Sequence, residues 1–361
     1  MPTIKDIAAR LGVSIGTVSK ALHSAPDISE SLKKTILETA VEMGYKARGN
    51  SSREDRRTVL FIENMAYEKE SDFGYDIVLG FKKSAAQEHF EVTVIPVTAE
   101  YQRQNPYDAL LLKNRFCGAF LLGFSLEDPW MEQLKTTSTP TVLFDNHVLH
   151  NPHVGSVGTD PFEGIDMAVE HLVQNGHEKI AFLNGSVGSL ISDQRMRAYL
   201  NSMYEHHLPI DPDLAVYGYY VADAARYHVP GFLEKGATAI LCGNDLIASG
   251  VIECCRQMGY RVPEDISVIG FDDIPLATTL SPPLTTVRQD RSQLGKCGLY
   301  ILHAMMNGIP MSRTLLRPSL AIRESVAGAK PRLSVRRTND PDSILNVNPA
   351  LYSQFVTHKS V

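Results

Sequence analysis

From residue 59 onward the chain alternates between short runs of β-forming residues and amphipathic stretches long enough for a helix. The apolar runs lie at residues 59–62, 92–97, 119–124, 141–144, 180–183, 215–219, 239–242 and 266–271. Between two of them, Ile165, Ala168 and Leu172 recur at helical spacing. Strands that alternate with helices form βαβ units, whose strands lie parallel in a sheet. We therefore predict an α/β fold in which so many strands are divided between two successive doubly wound units.

Residues 1–46 have a different pattern and are predicted to form three short helices. Gly12 ends the first helix, and Ser14 and Ser29 are suited to cap the second and the third. Thr3 and Asp6 have the spacing of a capping box at the start of the first helix. Two short helices joined by a glycine-containing turn are typical of the helix-turn-helix, whose second helix enters the major groove of DNA.

The predicted second helix carries side chains suited to DNA on its outward face. Lys20 can donate to guanine, Ile15 can contact a thymine methyl group, and Gly16 allows the backbone to approach closely. Hydroxyl groups nearby are suited to phosphate oxygens. The predicted DNA contacts are Thr3, Ser14, Ile15, Gly16, Thr17, Ser19, Lys20, His23 and Arg48. The alternative is that these are solvated positions on a small helical cap.

The charge distribution agrees with a head that binds an anion. The whole chain has a net charge of −6. Residues 1–57 contain ten Lys or Arg against seven Asp or Glu, a balance of +3, which leaves −9 for the remainder. A basic head on an acidic body suggests an anionic partner for the head alone.

Two segments lack the pattern of a folded unit. The stretch KARGNSSREDRR has no large apolar side chain, which predicts a linker or hinge at residues 47–58. Residues 327–361 contain three prolines and no periodic apolar pattern. We expect them to form a disordered extension.

Absent motifs exclude several classes of protein. No apolar run reaches the ~18 residues of a membrane span, and charged residues interrupt any signal sequence at the N-terminus. The five cysteines form no C-x-x-C pair and are predicted to be reduced thiols of a cytoplasmic protein. The chain has no G-x-S-x-G, Walker P-loop, H-E-x-x-H or zinc spacing. We therefore expect no enzyme activity, no cofactor, no metal and no membrane partner.

The string D-I-A-x-x-x-G-V-S-x-x-T-V-S-x-x-L, from Asp6 to Leu22, resembles the DNA-binding head of the lactose repressor (LacI/GalR) family of transcriptional regulators. The resemblance implies that Ile15, Gly16 and Lys20 read bases. In the family the linker folds into a hinge helix on DNA, and a Leu wedges into the minor groove. This linker offers no Leu-like side chain, so we expect less DNA bending and more reliance on phosphate contacts.

The body resembles the same family over about residues 58–326, and through it the periplasmic sugar-binding proteins. The matching strings include D-I-S-V-I-G-F-D-D at 265–273 and P-L-T-T-V at 283–287. The resemblance implies a periplasmic-binding-protein-like body of two doubly wound subdomains, with a ligand in the cleft. It divides the ligand-binding and dimerisation domain into one subdomain at about 59–156 and 288–314 and another at about 157–287 and 315–326.

The resemblance also implies which side chains contact the ligand, since strand ends in a doubly wound sheet lie on the ligand side. The expected contacts are Phe73, Asp145, Arg195, Tyr220, Asn244 and Asp272. Each has an alternative interpretation: Arg195 can be a salt-bridge partner, and Asn244 a turn residue. Tyr219 fits a core strand position as well as a ligand wall. Asp245 and Asp273 are better explained as helix caps or as residues that hold loops.

Together these features predict a ligand-responsive transcriptional regulator, a repressor that binds operator DNA as a homodimer. Carboxylates, an amide and an aromatic side chain favour a saccharide effector over a purine-type corepressor. A solute-binding clamp with a vestigial head is an alternative of a different class. An enzyme on the same fold has no catalytic constellation to support it.

Overall fold

The structure is a computed structural model that describes residues 2–23, 25–45 and 56–329. The predictions for Arg48, for most of the linker and for nearly all of the 327–361 extension lie outside the described residues. The chain divides into two compact units. Their residues are Met1–Asp160, Gly188–Ile191 and Gln289–Pro318 for the first unit, and Pro161–Val187, Ser192–Arg288 and Ser319–Val361 for the second.

The head is built from three helices, α1 (Ile4–Leu11), α2 (Ile15–Leu22) and α3 (Glu30–Glu42). The predicted capping box is confirmed, because the Thr3 side chain accepts from the Asp6 amide and the Asp6 carboxylate accepts from the Thr3 amide at 2.7 Å. Each helix turns an apolar face inward, as the helical spacing predicted. The buried side chains between the helices are Ile7, Ala8, Val18, Ala21, Leu22, Ile36, Leu37 and Ala40.

The body alternates strands and helices along the chain. Its α-helices are α4 (Phe73–Gln87), α5 (Ala99–Gln104), α6 (Tyr107–Asn114), α7 (Pro129–Leu134), α8 (Pro161–Gln174), α9 (Leu190–Glu205), α10 (Ala225–Glu234), α11 (Asp245–Gln257), α12 (Leu276–Thr279) and α13 (Arg291–Met306). Its strands are β1 (Arg57–Ile62), β2 (Glu91–Pro96), β3 (Gly118–Leu122), β4 (Thr141–Phe144), β5 (Val154–Thr159), β6 (Ile180–Asn184), β7 (Ala215–Tyr217), β8 (Ala239–Cys242), β9 (Ser267–Asp272), β10 (Thr285–Arg288), β11 (Arg313–Leu316) and β12 (Ser319–Ala321).

Each unit contains one six-stranded sheet. In the first unit the strand order is β11-β5-β4-β3-β1-β2, and all neighbouring strands are parallel. In the second unit the order is β12-β10-β9-β8-β6-β7, and β12 alone is antiparallel to its neighbour. The predicted fold class, a helix-turn-helix head with a body of two doubly wound parallel sheets, is confirmed.

All eight predicted apolar runs contain strands, but β5, β10, β11 and β12 were not predicted. The sequence of β5, VGSVGT, has two glycines, while β11 and β12 have only four and three residues. Such segments become strands because they pair with neighbours already in the sheet. Residues 156 and 314, where we expected subdomain boundaries, lie within β5 and β11.

Helices α4 and α13 pack closely against each other in the first unit. A Cβ atom at Gly80 would overlap the carbonyl oxygen of Ser292, and one at Gly295 would overlap that of Ile77. The two glycines therefore allow the helix backbones to approach, and a larger residue at either position would push them apart. This packing fixes α4, whose first residue is the expected ligand contact Phe73.

Candidate functional site

The exposed face of α2 begins at a well-formed helix cap. The Ser14 hydroxyl accepts from the Thr17 amide at 3.0 Å, and the two hydroxyls lie 2.8 Å apart. Ile15 is 50% exposed although it is a large apolar residue, and Gly16 beside it is also exposed. An exposed isoleucine at the first turn of a capped helix is suited to contact with a base edge rather than with the protein core.

Lys20 lies one turn further along α2 and is half exposed. Its ammonium group forms a hydrogen-bonded ion pair with the Asp27 carboxylate, in the turn that leads to α3. The hydrogen bond from Lys20 lowers the pKa of Asp27 below its ordinary value. His23, at the end of α2, places Nδ1 2.6 Å from the Ser19 carbonyl oxygen. The sequence analysis did not identify Asp27, because its partner lies seven residues away across a turn.

In the second unit, Arg195 on α9 lies beneath the ends of β8 and β9. Its guanidinium group lies 3.8 Å from the ring centroid of Phe271, and Nη1 donates to the Gly243 carbonyl oxygen at 2.7 Å. The residue is only 3% exposed. Its Nε has no hydrogen-bond partner among the described residues. Within the part of the chain that the structure describes, Arg195 is therefore held by an aromatic ring and a strand end, and not by the carboxylate that the salt-bridge alternative required.

Asn244 follows β8 and caps α11. Its side-chain oxygen accepts from the Ile247 amide at 2.8 Å, and the residue is largely buried. The turn interpretation of Asn244 thus has a physical basis, since a capping asparagine satisfies a free amide of the first helical turn. The amide nitrogen of the same side chain is the group that a ligand could use.

Asp272 is the last residue of β9, and its backbone has a positive φ of 112°. The next residue, Asp273, also has a positive φ, and its carboxylate lies 2.6 Å from both Arg288 and Arg323. These two ion pairs hold the backbone turn at which Asp272 lies. The interpretation of Asp273 as a residue that holds a loop agrees with these contacts.

Asp245 holds the same turn from the other side. Its carboxylate accepts from the Thr286 hydroxyl at 2.6 Å and from the Ile274 amide at 2.8 Å. A Cβ atom at Gly270 would overlap this carboxylate, so the glycine leaves the space that Asp245 fills. Burial, followed by the nearby Asp272 carboxylate, raises the pKa of Asp245 well above its ordinary value.

Tyr220 is positioned by a short chain of hydrogen bonds. Its hydroxyl lies 2.8 Å from the Ser192 hydroxyl, and Asn184 donates to the Ser192 carbonyl oxygen at 2.8 Å. The ring lies where a side chain at Gly185 would have to be. Tyr219 has a positive φ and is 65% exposed, so its interpretation as a core strand residue was wrong.

In the first unit, Phe73 and Asp145 lie at the ends of different elements. Phe73 begins α4, is half buried, and lies 6.0 Å from Phe144 between ring centroids. Asp145 directly follows β4, has a positive φ of 51°, and its carboxylate occupies the space beside Gly158. The structure therefore places two of the expected ligand contacts in the first unit and four in the second.

Glu63 is a buried carboxyl group that the sequence analysis missed. It directly follows β1, is only 5% exposed, and is hydrogen-bonded to Gln102 and Asp128. Gln102 is buried as well, and its side-chain oxygen accepts from the Trp130 amide at 3.1 Å. Burial, followed by the Asp128 carboxylate, raises the pKa of Glu63 to about 7. The sequence feature that could have identified Glu63 is its position immediately after an apolar run.

The described residues contain neither a metal-binding cluster nor a membrane-spanning helix. In residues 2–23, 25–45 and 56–329, no group of three or more His, Cys, Asp or Glu is arranged to hold a metal ion. Within the same ranges, no helix has the length and hydropathy needed to cross a bilayer.

Comparison with known proteins agrees with the geometry of both the head and the body. Residues 3–47 match the family model of bacterial regulatory proteins, lacI family, and residues 169–326 match the periplasmic binding protein-like domain. The chain is 28% identical over 331 residues to the HTH-type transcriptional repressor PurR of Aliivibrio salmonicida (strain LFI1238), with 90% of this chain and 99% of that protein covered.

Two solved structures share the fold. The transcriptional regulator CelR in complex with cellobiose has a TM-score of 0.66 and 25% identity, with 90% of this chain and 100% of that chain covered. A regulatory protein of the LacI family from Chloroflexus aggregans has a TM-score of 0.67 and 26% identity, with 74% of this chain and 98% of that chain covered. The chain therefore combines a DNA-binding domain of the lacI family of bacterial regulatory proteins at residues 3–47 with a periplasmic binding protein-like domain at residues 169–326.

Proposed function

We propose that this regulator is a cytoplasmic, homodimeric repressor that binds operator DNA and responds to a saccharide. The observation that carries the proposal is the exposed face of α2, where Ile15, Gly16 and Lys20 lie on a helix that Ser14 caps. A short capped helix with one exposed face fits the major groove. Two copies of such a head match the two half-sites of a palindromic operator, which is the reason for proposing a dimer.

For the DNA contacts, we assign different roles to the two ends of α2. The hydroxyl groups at the N-terminal end, on Ser14 and Thr17, position the helix against phosphate oxygens. Ile15 contacts a thymine methyl group, and Lys20 donates to guanine. The half-exposed Lys20 side chain is long enough to exchange Asp27 for a base edge. The His23 ring is already directed to the Ser19 carbonyl oxygen. We therefore assign His23 to contact with the DNA backbone rather than with a base.

For the effector, we propose contacts from Phe73 and Asp145 in the first unit and from Arg195, Tyr220, Asn244 and Asp272 in the second. Carboxylate and amide groups bind sugar hydroxyls, and an aromatic ring covers an apolar sugar face. The Nε donor of Arg195, which has no partner among the described residues, is suited to a ring or hydroxyl oxygen. The cellobiose bound to the similar regulator CelR supports a saccharide over a purine.

The DNA-binding part of the proposal is tested with the full chain and a palindromic duplex selected from a random library by the wild-type protein. Lys20→Ala should weaken binding to this duplex by about 1–3 kcal/mol, because one base contact is lost. It should change binding to random duplex much less. Lys34→Ala removes an exposed positive charge from α3 and serves as the control for net charge. Equal losses on both duplexes would limit Lys20 to a phosphate contact.

The effector part is tested by thermal shift with a panel of mono- and disaccharides and nucleobases. A ligand present at 100 times its Kd should stabilise the chain by about 2.7 kcal/mol. Asp272→Ala should abolish this shift and leave DNA binding intact. A shift with a nucleobase and none with any sugar would replace the saccharide with a purine-type corepressor.

A further inference from the structure

We infer that Asp27 is a specificity-determining residue of the head, whose carboxylate holds Lys20 and so weakens binding to DNA that offers Lys20 no base partner. The inference rests on the proposed DNA-binding function and adds to it a residue outside the recognition helix. It concerns discrimination between DNA sequences, not the capacity to bind DNA.

The geometry places a negative charge directly at the reading end of α2. Asp27 lies in the turn between α2 and α3, and its carboxylate is hydrogen-bonded to the Lys20 ammonium group. Both side chains are about half exposed, with 56% for Lys20 and 53% for Asp27. Since the Lys20 ammonium group is the one that enters the groove, the Asp27 carboxylate comes within reach of the DNA as well.

The neighbouring cations that form ion pairs are bonded to other carboxylates and not to Asp27. Lys33 also lies near Asp27, but its ammonium group is bonded to Glu30 at 2.7 Å. Arg10, the other cation of the first two helices that forms an ion pair among the described residues, is bonded to Glu42 at 3.0 Å. The pair formed by Lys20 and Asp27 is thus electrically neutral, and the free head presents one cation fewer to a phosphate backbone.

The ion pair with Asp27 affects the affinity for random DNA and the affinity for an operator differently. Affinity for random DNA comes from cations that displace counterions at phosphates, so a neutral pair contributes little to it. At an operator, guanine O6 and N7 accept from the ammonium group with fixed geometry. An exposed ion pair is weak, so a base edge can replace Asp27 as the partner of Lys20. On DNA without the base contact, Asp27 keeps Lys20 in the neutral pair and so withholds one phosphate contact, which weakens binding to every such sequence.

The test compares Asp27→Asn with Glu38→Gln in the full chain. Both changes remove one exposed negative charge, and Glu38 lies on α3 next to Lys34, away from the pair. The probes are the selected palindromic duplex and a random duplex of equal length, titrated between 50 and 200 mM KCl. A third variant combines Lys20→Ala with Asp27→Asn.

We expect Asp27→Asn to bind random duplex about five- to tenfold more tightly than wild type, with a salt slope steeper by about 0.9, the value for one additional phosphate contact. Affinity for the selected duplex should rise by less than threefold, so the ratio of the two affinities falls. Glu38→Gln should leave that ratio unchanged. In the Lys20→Ala background, Asp27→Asn should no longer steepen the salt slope.

Other results would overturn the inference in distinct ways. A loss of affinity for the selected duplex alone would mean that Asp27 orients Lys20 or accepts from a cytosine amino group. An equal gain on both duplexes, matched by Glu38→Gln, would reduce the effect to net charge. A wild-type chain that fails to bind any duplex at 50 mM KCl would instead contradict the proposed function itself.

Discussion

The two units of the body share one strand order but differ in the charged groups at the ends of their strands. In the second unit, the Asp273 carboxylate after β9 lies between the guanidinium groups of Arg288 and Arg323. In the first unit, Glu63 after β1 is bonded to a second carboxyl group, Asp128, and to an amide. The same topology therefore accommodates a carboxylate paired with two cations in one unit and two hydrogen-bonded carboxyl groups in the other. The chemistry of each unit depends on its side chains and not on its fold.

This contrast has a direct consequence for how each unit responds to pH and to mutation. Carboxylates compensated by guanidinium groups hold a loop through charge, so removing one partner leaves buried or half-buried charge behind. Two adjacent carboxyl groups without a bonded cation must share a proton to stay together. We therefore expect the Asp273 contacts of the second unit to respond chiefly to mutation and the Glu63 group of the first unit to respond chiefly to pH.

The largest expected effect is that of Arg195→Ala in the second unit. The change removes a group stacked on Phe271, leaves the Gly243 carbonyl without its donor, and opens a cavity under the strand ends. We expect the free energy of unfolding to fall by about 2–3 kcal/mol, measured by urea denaturation. Arg197→Ala, on the exposed side of the same helix, is the matched control and should change it by less than about 0.5 kcal/mol. Similar losses for both variants would contradict a stabilising role of the contacts that Arg195 makes with Phe271 and Gly243.

A smaller effect is expected for Asp273→Ala, which breaks two ion pairs at once. Since Arg323 is mostly buried and Arg288 is half exposed, we expect a loss of about 2 kcal/mol in unfolding free energy. Asp223→Ala breaks an exposed pair with Arg226 in the same unit and should cost almost nothing. High salt should reduce the difference between the two variants only slightly if the Asp273 pairs are shielded from solvent.

The third expected effect is a pH dependence that originates in the first unit. Because the pKa of Glu63 is raised to about 7 in the folded chain, folding favours its protonated form. The resulting stability is fully present below the ordinary glutamate pKa of about 4.5 and is lost as the pH rises through 7. Glu63→Gln, which imitates the protonated group, should remove this loss when urea midpoints are compared between pH 5 and pH 8. The exposed Glu100→Gln should retain it.

The head could be predicted almost completely from the sequence, because its signals are local. The capping box of Thr3 with Asp6 and the cap at Ser14 each act over three residues, and the apolar stripes act within one helix. The eight apolar runs of the body identified central strands for a similar reason. Strands β11 and β12 were missed because they depend on pairing with distant strands rather than on their own residues.

The site residues were predictable to different degrees. Family strings placed Asp272 at the end of a strand and identified Arg195 as a ligand contact, but the partners of both residues could not be deduced from spacing. Phe271 under the guanidinium group and Asp245 beside the Asp272 turn become neighbours only in the folded sheet. Asp27 and Glu63 were missed for the same reason, since each is hydrogen-bonded to a side chain on another element.

The central claim is that a small molecule bound by the body changes the affinity of the head for DNA. The most direct measurement is the Kd of the full chain for the selected duplex, with and without a saturating saccharide that raises its melting temperature. Coupling of ~1–3 kcal/mol predicts a change of about 5- to 150-fold in wild type and none in Asp272→Ala. An unchanged Kd in wild type, with the saccharide demonstrably bound, would contradict the claim.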